Sequence, residues 1–108
     1  MPESTERGAL TEAVFYVLLA LHTPMHGYGI MQFVKEITVE RVQLGPGTLY
    51  GAINTLLEKG WIRALRATDS SRKKEYEITP TGHQIMLDEV TRLQQLLDHS
   101  KTIRGGIK

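Results

Sequence analysis

Residues 44–60 read LGPGTLYGAINTLLEKG, and their pattern predicts a helix with two very different faces. Gly45, Pro46 and Gly47 interrupt the chain before it, so we expect the helix to occupy residues 48–59 and to stop at Gly60. The apolar residues recur at helical spacing and form an inner face: Leu49, Ile53, Leu56 and Leu57. The outer face is polar but uncharged over nearly three turns: Tyr50, Gly51, Asn54 and Thr55. Because charged residues normally crowd the solvent side of a surface helix, this outer face indicates contact with another part of the protein or with a groove.

Two further helices are predicted before this one. The first spans residues 10–21 with Thr11 as its N-cap, and its nearly continuous apolar residues place it at the centre of the core. Pro24 ends that pattern. The second spans residues 29–40 and is amphipathic. Its apolar face consists of Ile30, Phe33, Val34 and Ile37.

After Gly60 the pattern changes from helical spacing to short strands, predicted over residues 61–66 and 74–78. The segment TDSS, residues 68–71, has the composition of a turn, so the two strands form a hairpin. Three bases follow the turn directly: Arg72, Lys73 and Lys74.

The last predicted helix is long. Thr79 is its N-cap, Pro80 suits its first position, and the helical pattern continues to about Ile103. Its apolar seam has the spacing of a coiled coil and is too long for three short helices to cover. We therefore expect it to form a homodimer through Met86, Val90, Leu93, Leu96 and Leu97. Residues 105–108 are expected to be a disordered tail.

The predicted elements follow one another in the order of a winged helix-turn-helix: helix, helix, turn, helix and basic hairpin. In that motif the last helix of the triad enters the major groove of DNA and the wing contacts the backbone. The predicted fold is therefore mainly α with a small β-hairpin, a winged helix-turn-helix plus a long C-terminal dimerisation helix. Residues 1–78 form the DNA-binding domain and residues 79–104 the dimerisation helix of the same compact unit.

Composition narrows the classes of function. The 108 residues suit one domain, and the longest apolar run of nine residues is far below the ~20 that span a bilayer, so no membrane partner is expected. The absence of cysteine suits the reducing cytoplasm. Net charge is only +1, yet residues 41–78 hold seven bases against four acids, which suggests a local contact with a polyanion.

No group of residues has the arrangement of a catalytic site. The stretch at residues 45–47 lacks the lysine of a phosphate-binding loop. Pro24 prevents His22 and His26 from sharing a helical face, so no metal is expected. We expect neither an enzyme nor a bound cofactor.

Several runs of the sequence also resemble a known family. In chain order they are His26-Gly27-Tyr28, the run from Leu44 to Tyr50 with Leu56, Leu57 and Gly60 behind it, and the run from Tyr76 to Gly82. The opening from Leu10 to Ala13 and the pair Phe15 and Tyr16 look similar as well. Together they cover about residues 9–100 and resemble the PadR family of transcriptional regulators. The resemblance implies a homodimeric bacterial repressor that binds double-stranded DNA and is often released by a small aromatic or cationic effector.

The resemblance also implies roles for single residues. It assigns to the groove-facing side of the recognition helix Pro46, Gly47, Thr48, Tyr50 and Asn54. It places Leu49 in the core, and it matches Arg72, Lys73 and Lys74 to a basic wing that binds phosphate. Some short relatives stack their effector on a tryptophan of the long helix, but Trp61 is the only tryptophan here. We therefore expect an effector pocket to use Phe15, Tyr16, Phe33 or the methionine and leucine side chains.

Three points stay open at this level. Tyr28 and Tyr16 either present their hydroxyl groups to phosphate or are ordinary core tyrosines. Asn54 either pairs with adenine or faces solvent. The polar helix face binds either DNA or, since the net charge is close to zero, another protein.

Overall fold

Helix α1 (Glu12–Ala20) lies at the centre of the protein, as its nearly continuous apolar sequence predicted. In the computed structural model, which describes residues 8–65 and 74–106, α1 packs against α2 (Gly27–Ile37), α3 (Pro46–Lys59) and α4 (Pro80–Gly106). The side chains that are essentially inaccessible to solvent come from the first three helices and from the C-cap of α1, Leu21: Val17, Leu18, Leu21, Ile30, Val34, Leu49, Ile53 and Leu56. The apolar faces predicted for these helices therefore meet in one core, except for Ile37, which is 50% exposed at the end of α2.

Side-chain caps fix the starts of α1 and α4. Thr11 Oγ1 accepts a hydrogen bond from the amide of Val14 at 3.1 Å, and Thr79 Oγ1 accepts one from the amide of Gly82 at 3.1 Å. Both predicted N-caps are confirmed. Helix α3 begins at Pro46, not at residue 48, because a proline at the first helical position lacks only an N–H that the helix does not use.

The bounds predicted for α2 are wrong at both ends. The helix begins at Gly27 because His26 Nδ1 accepts a hydrogen bond from the amide of Gly29 and serves as the N-cap. It ends at Ile37 because Val39 and Glu40 adopt φ angles of 51° and 65°, which belong to the left-handed region and cannot continue a right-handed helix.

The predicted hairpin is part of a three-stranded antiparallel sheet. Strands β2 (Ile62–Leu65) and β3 (Glu75–Ile78) pair with Ala64 opposite Tyr76. A third strand, β1 (Met25–His26), pairs with the other edge of β3, so the order is β1-β3-β2. Strand β1 was not predicted, because two residues are too few to show an alternating pattern.

Helix α4 extends away from this body. It contains 27 residues and reaches Gly106, beyond the predicted end near Ile103. Two residues of the predicted disordered tail, 105 and 106, are therefore helical, and residues 107–108 lie outside the described part. It packs on α1 and β3. From Leu93 to Ile103 every side chain of α4 is exposed. Within residues 8–65 and 74–106 no helix is both long and apolar enough to cross a bilayer.

Candidate nucleic-acid interface

Helix α3 has an exposed polar side and an apolar side that packs on the core, where Leu57 is only partly buried. Leu49 is 0% exposed and lies in the core, as predicted. The five residues predicted to face a groove are all exposed: Pro46, Gly47, Thr48, Tyr50 and Asn54. Gly45 is the N-cap and contributes no side-chain hydrogen bond to the first turn. The structure therefore presents hydroxyl and amide side chains on the open side of a helix whose other side is fixed by the core.

Tyr50 leans back onto the start of α2 although its side chain is 44% exposed. Gly27 is buried beneath it, and a Cβ on Gly27 would overlap the Tyr50 hydroxyl and lie 2.7 Å from Tyr50 Cζ. The absence of a side chain at Gly27 is therefore what lets the phenol lie against α2. Burial, with a smaller contribution from Tyr50, raises the pKa of the nearby Tyr76 above its usual value.

The structure separates the two tyrosines whose roles were open. Tyr28 is 59% exposed, its hydroxyl accepts a hydrogen bond from Gln32 Nε2 at 2.6 Å, and its ring stacks on His26. It is therefore not a core tyrosine. Tyr16 is partly buried against the core, where its hydrogen bond contributes to raising the pKa of Arg41, after the larger contribution from Glu12. The contact with Gln32 was missed, because Gln32 lies one helical turn after Tyr28 and the predicted helix began only at residue 29.

The wing is only partly described. Lys74 is exposed at the start of β3, whereas Arg72 and Lys73 lie outside the described residues. On the paired strands, Arg63 lies opposite Glu77 and forms an ion pair with it at 2.6 Å, so this arginine is neutralised locally. Of the described wing residues, Lys74 is the base that the prediction assigned to phosphate.

The predicted dimerisation seam is mostly exposed on α4. Val90, Leu93, Leu96 and Leu97 are each between 42% and 51% exposed. Met86 differs, because it is 6% exposed and packs in the core of its own chain, so it does not belong to the exposed stripe. Met86 has the helical spacing of the seam, but it lies in the first part of α4, which packs on α1 and β3 of the same chain.

A cavity of about 200 Å³ opens between α1 and α4. Its lining residues are Leu10, Thr11, Glu12, Phe15, Tyr16, Glu89, Arg92 and Leu93. The rings of Phe15 and Tyr16 meet edge to face. The buried Glu89 carboxylate accepts hydrogen bonds from Arg92 and from the amide of Leu10, and its bond with Arg92 raises the pKa of that guanidinium.

The cavity includes two of the three residues predicted for an effector pocket. Phe33 is not among its lining residues and packs against the core elsewhere. Glu89 and Arg92 were not predicted, since an acid and a base three residues apart on a long helix usually form an exposed pair. In the described part of the chain, no three His, Cys, Asp or Glu side chains are grouped to hold a metal ion.

Comparison with known proteins gives a family match and one curated relative. Residues 15–88 match the transcriptional regulator PadR-like family. Over 86 residues the chain is 34% identical to a protein from Streptomyces fradiae described as an uncharacterized 37.1 kDa protein in transposon TN4556. That match covers 79% of this chain and 24% of the relative, so the chain spans about a quarter of the relative's length.

Solved structures share the fold at low sequence identity. A PadR family transcriptional regulator from Eggerthella lenta superimposes with a TM-score of 0.73 at 21% identity, over 83% of this chain and 79% of that one. A transcriptional regulator from Clostridium thermocellum superimposes with a TM-score of 0.66 at 23% identity, over 90% of this chain and 93% of that one. Bacillus subtilis PadR in complex with operator DNA superimposes with a TM-score of 0.62 at 23% identity, over 73% of this chain and 46% of that one. The predicted fold class is confirmed.

Proposed function

The chain belongs to the PadR-like family of transcriptional regulators, and we propose that it acts as a homodimeric repressor that binds double-stranded operator DNA. The observation that carries the proposal is the exposed, uncharged polar face of α3, opposite the buried side chains of Leu49, Ile53 and Leu56. Hydroxyl and amide groups on such a helix bind base edges and phosphates in a major groove. Membership of a family of transcriptional regulators supports a regulatory and not an enzymatic role for the chain. The proposed DNA binding is consistent with a cytoplasmic location.

The exposed stripe of α4 supports the dimer. Val90, Leu93 and Leu97 recur at coiled-coil spacing. Their side chains are exposed, because the described residues of the same chain do not pack over this side of α4. In a symmetric dimer the two copies of the stripe would bury one another. The two α3 helices would then read half-sites about 34 Å apart, which predicts a pseudo-palindromic operator.

DNA binding is tested by titrating labelled DNA from the chain's own locus against a scrambled duplex at moderate salt. The proposal expects a clear preference for the locus DNA, and Asn54→Ala should weaken it. Lys74→Ala should lower the slope of log affinity against log salt by about 0.9 for each phosphate that the lysine no longer neutralises. Lys101→Ala removes the same charge far from the wing and should leave the slope unchanged. Equal affinity for both duplexes would contradict the repressor and favour a protein-binding role.

The dimer is tested by light scattering at micromolar concentration. Leu93→Glu should shift the protein to monomers, because the symmetric interface would bury two unpaired charges at a cost of several kcal/mol (about 3 or more). Gln95→Glu adds the same charge two residues away, on the opposite side of the helix, and should remain dimeric. A monomeric wild-type protein would contradict the dimer.

We further propose that a small aromatic or cationic effector enters the cavity between α1 and α4 and releases the DNA. Since a cavity of about 150 Å³ accepts benzene, the 200 Å³ here has room for one substituted ring. Phe15→Leu should weaken binding of a planar aromatic ligand, whereas Phe33→Leu, outside the cavity, should not. Trp61 fluorescence and operator affinity are followed together, and a ligand that binds tightly without changing operator affinity would contradict release.

A further inference from the structure

Two histidines meet between the end of α1 and the first turn of α4. His22 Nε2 and His83 Nδ1 are 3.0 Å apart, although 61 positions separate the two residues in the chain. The ring centroids are 5.1 Å apart and the ring planes are inclined by 71°. Both side chains are exposed, and DNA binding as proposed above uses neither of them.

The protein backbone fixes the orientation of the His22 ring. Its Nδ1 lies 3.2 Å from the carbonyl oxygen of Leu18 and 3.2 Å from that of Leu19. A carbonyl oxygen can only accept, so Nδ1 carries the hydrogen and the neutral ring holds a lone pair on Nε2. Histidines that bind metal ions usually donate their second N–H to a carbonyl or carboxylate in this way.

We propose that His22 and His83 together bind a divalent transition-metal ion of the class that prefers imidazole, such as Zn²⁺ or Cu²⁺. Two nitrogens on one tetrahedral Zn²⁺ lie about 3.3 Å apart, so the two nitrogens must separate by a few tenths of an ångström and the two rings must turn until both lone pairs face the ion. In the metal-free pair His83 Nδ1 donates its hydrogen to His22 Nε2, so on ion binding His83 changes tautomer and carries that hydrogen on its Nε2. No third His, Cys, Asp or Glu joins them among the described residues, so water completes the coordination. Mg²⁺ and Ca²⁺ require oxygen ligands and do not suit this site.

The backbones on both sides of the pair are already held in place. The amide of Ile78 donates to the carbonyl of Leu21 at 2.9 Å, which joins the residue before His22 to the strand that leads into α4. Gly82, next to His83, packs directly on the backbone carbonyl of Trp61. A bound ion would therefore tie α1 to α4 without a rearrangement of the chain.

The test is a calorimetric titration of the untagged 108-residue chain with Zn²⁺. One Zn²⁺ per chain is expected. His22→Gln and His83→Gln should each weaken binding at least about tenfold, since even losing an outer partner of a ligand typically costs that much. His99→Gln is the matched control, because His99 is an exposed histidine further along α4, and it should bind as the wild type does. Cu²⁺ should bind more tightly than Zn²⁺, and Mg²⁺ should not bind.

Nitrogen-15 NMR of the histidine rings gives a second readout on the unmodified chain. Zn²⁺ should shift the signals of His22 Nε2 and His83 Nδ1 and leave those of His99 in place. The proposal is overturned if the wild type binds no Zn²⁺, if the His22 and His83 variants bind it as the wild type does, or if only His99 shifts. Because no DNA is present, these outcomes are independent of the repressor proposal.

Discussion

Replacing Gly27 with alanine tests whether the packing between α2 and α3 positions Tyr50 for DNA. The new Cβ would overlap the Tyr50 hydroxyl and lie 2.7 Å from Tyr50 Cζ and 3.3 Å from Leu49 Cδ2. The hydroxyl is the far end of a side chain of a residue that is already 44% exposed, so the ring should swing outward, while the buried Leu49 has to shift by only a few tenths of an ångström. Alanine restricts the unfolded chain more than glycine does, which is worth about 0.4–1 kcal/mol and offsets part of the weakened packing, so the free energy of unfolding should change by no more than about 1 kcal/mol.

Operator affinity should fall much more than stability. A neutral hydrogen bond contributes about 1 kcal/mol net, and a dimer that loses one on each chain loses about 2 kcal/mol. That loss corresponds to about a 30-fold rise in the Kd for operator DNA. Fluorescence anisotropy measures the Kd, and urea denaturation at a fixed protein concentration measures the stability.

Gly29→Ala is the control in the same helix. Its Cβ would meet Met25 Cβ at 3.4 Å, which is ordinary contact, so stability should rise by about 0.5–1 kcal/mol and operator affinity should stay constant. In a Tyr50→Ala background, Gly27→Ala should cost no further affinity, because the displaced group is already gone. The reasoning is refuted if Gly27→Ala binds operator normally, or if its effect persists in that background.

Three other substitutions test the packing and the electrostatics. Gly82→Ala should destabilise the protein by about 2 kcal/mol in urea denaturation. The new Cβ would overlap the rigid backbone carbonyl of Trp61 and disturb the hydrogen bonds around it. An unchanged free energy of unfolding would contradict this contact. Gly51→Ala, with no atom within 4 Å of its Cβ, should instead stabilise by about 0.5–1 kcal/mol. Burial raises the pKa of Tyr76 above its ordinary 10.0, so this residue's contribution to stability is complete below pH 10 and is lost as the pH rises through the raised value. Tyr76→Phe should therefore reduce the loss of stability above pH 10, and an unchanged profile would show that Tyr76 is not its source.

Local chemistry made much of the fold predictable. The faces of α3 follow from the spacing of Leu49, Ile53 and Leu56, which all lie in the core. The caps at Thr11 and Thr79 are formed by a side chain and an amide three residues later, so the sequence alone displays both partners. Each of these features is decided within one or two helical turns.

Apart from local misses such as the two ends of α2 and the start of α3, what the sequence did not predict depends on residues far apart in the chain. Glu89 accepts from the amide of Leu10 across 79 positions, and the histidine pair spans 61. Gly27 belongs to a family-like run, but its contact with Tyr50 arises only when α2 and α3 pack. Met86 has the periodicity of the α4 seam, and only the docking of α4 on the body assigns it to the core. The wing bases Arg72 and Lys73 remain predictions.

The contacts that hold α4 suggest how a ligand would act on DNA binding. Three contacts hold the first part of the helix to the rest of the protein: Gly82 with the Trp61 carbonyl, His83 with His22, and Glu89 with the Leu10 amide. From Leu93 to Ile103 the helix is exposed and, in the proposed dimer, pairs with its copy. The cavity lies at the Glu89 contact, where the part of α4 held by the body passes into the part that would pair. A ligand there need favour a dimer geometry with the wrong α3 spacing by only about 1.4 kcal/mol to weaken operator binding tenfold.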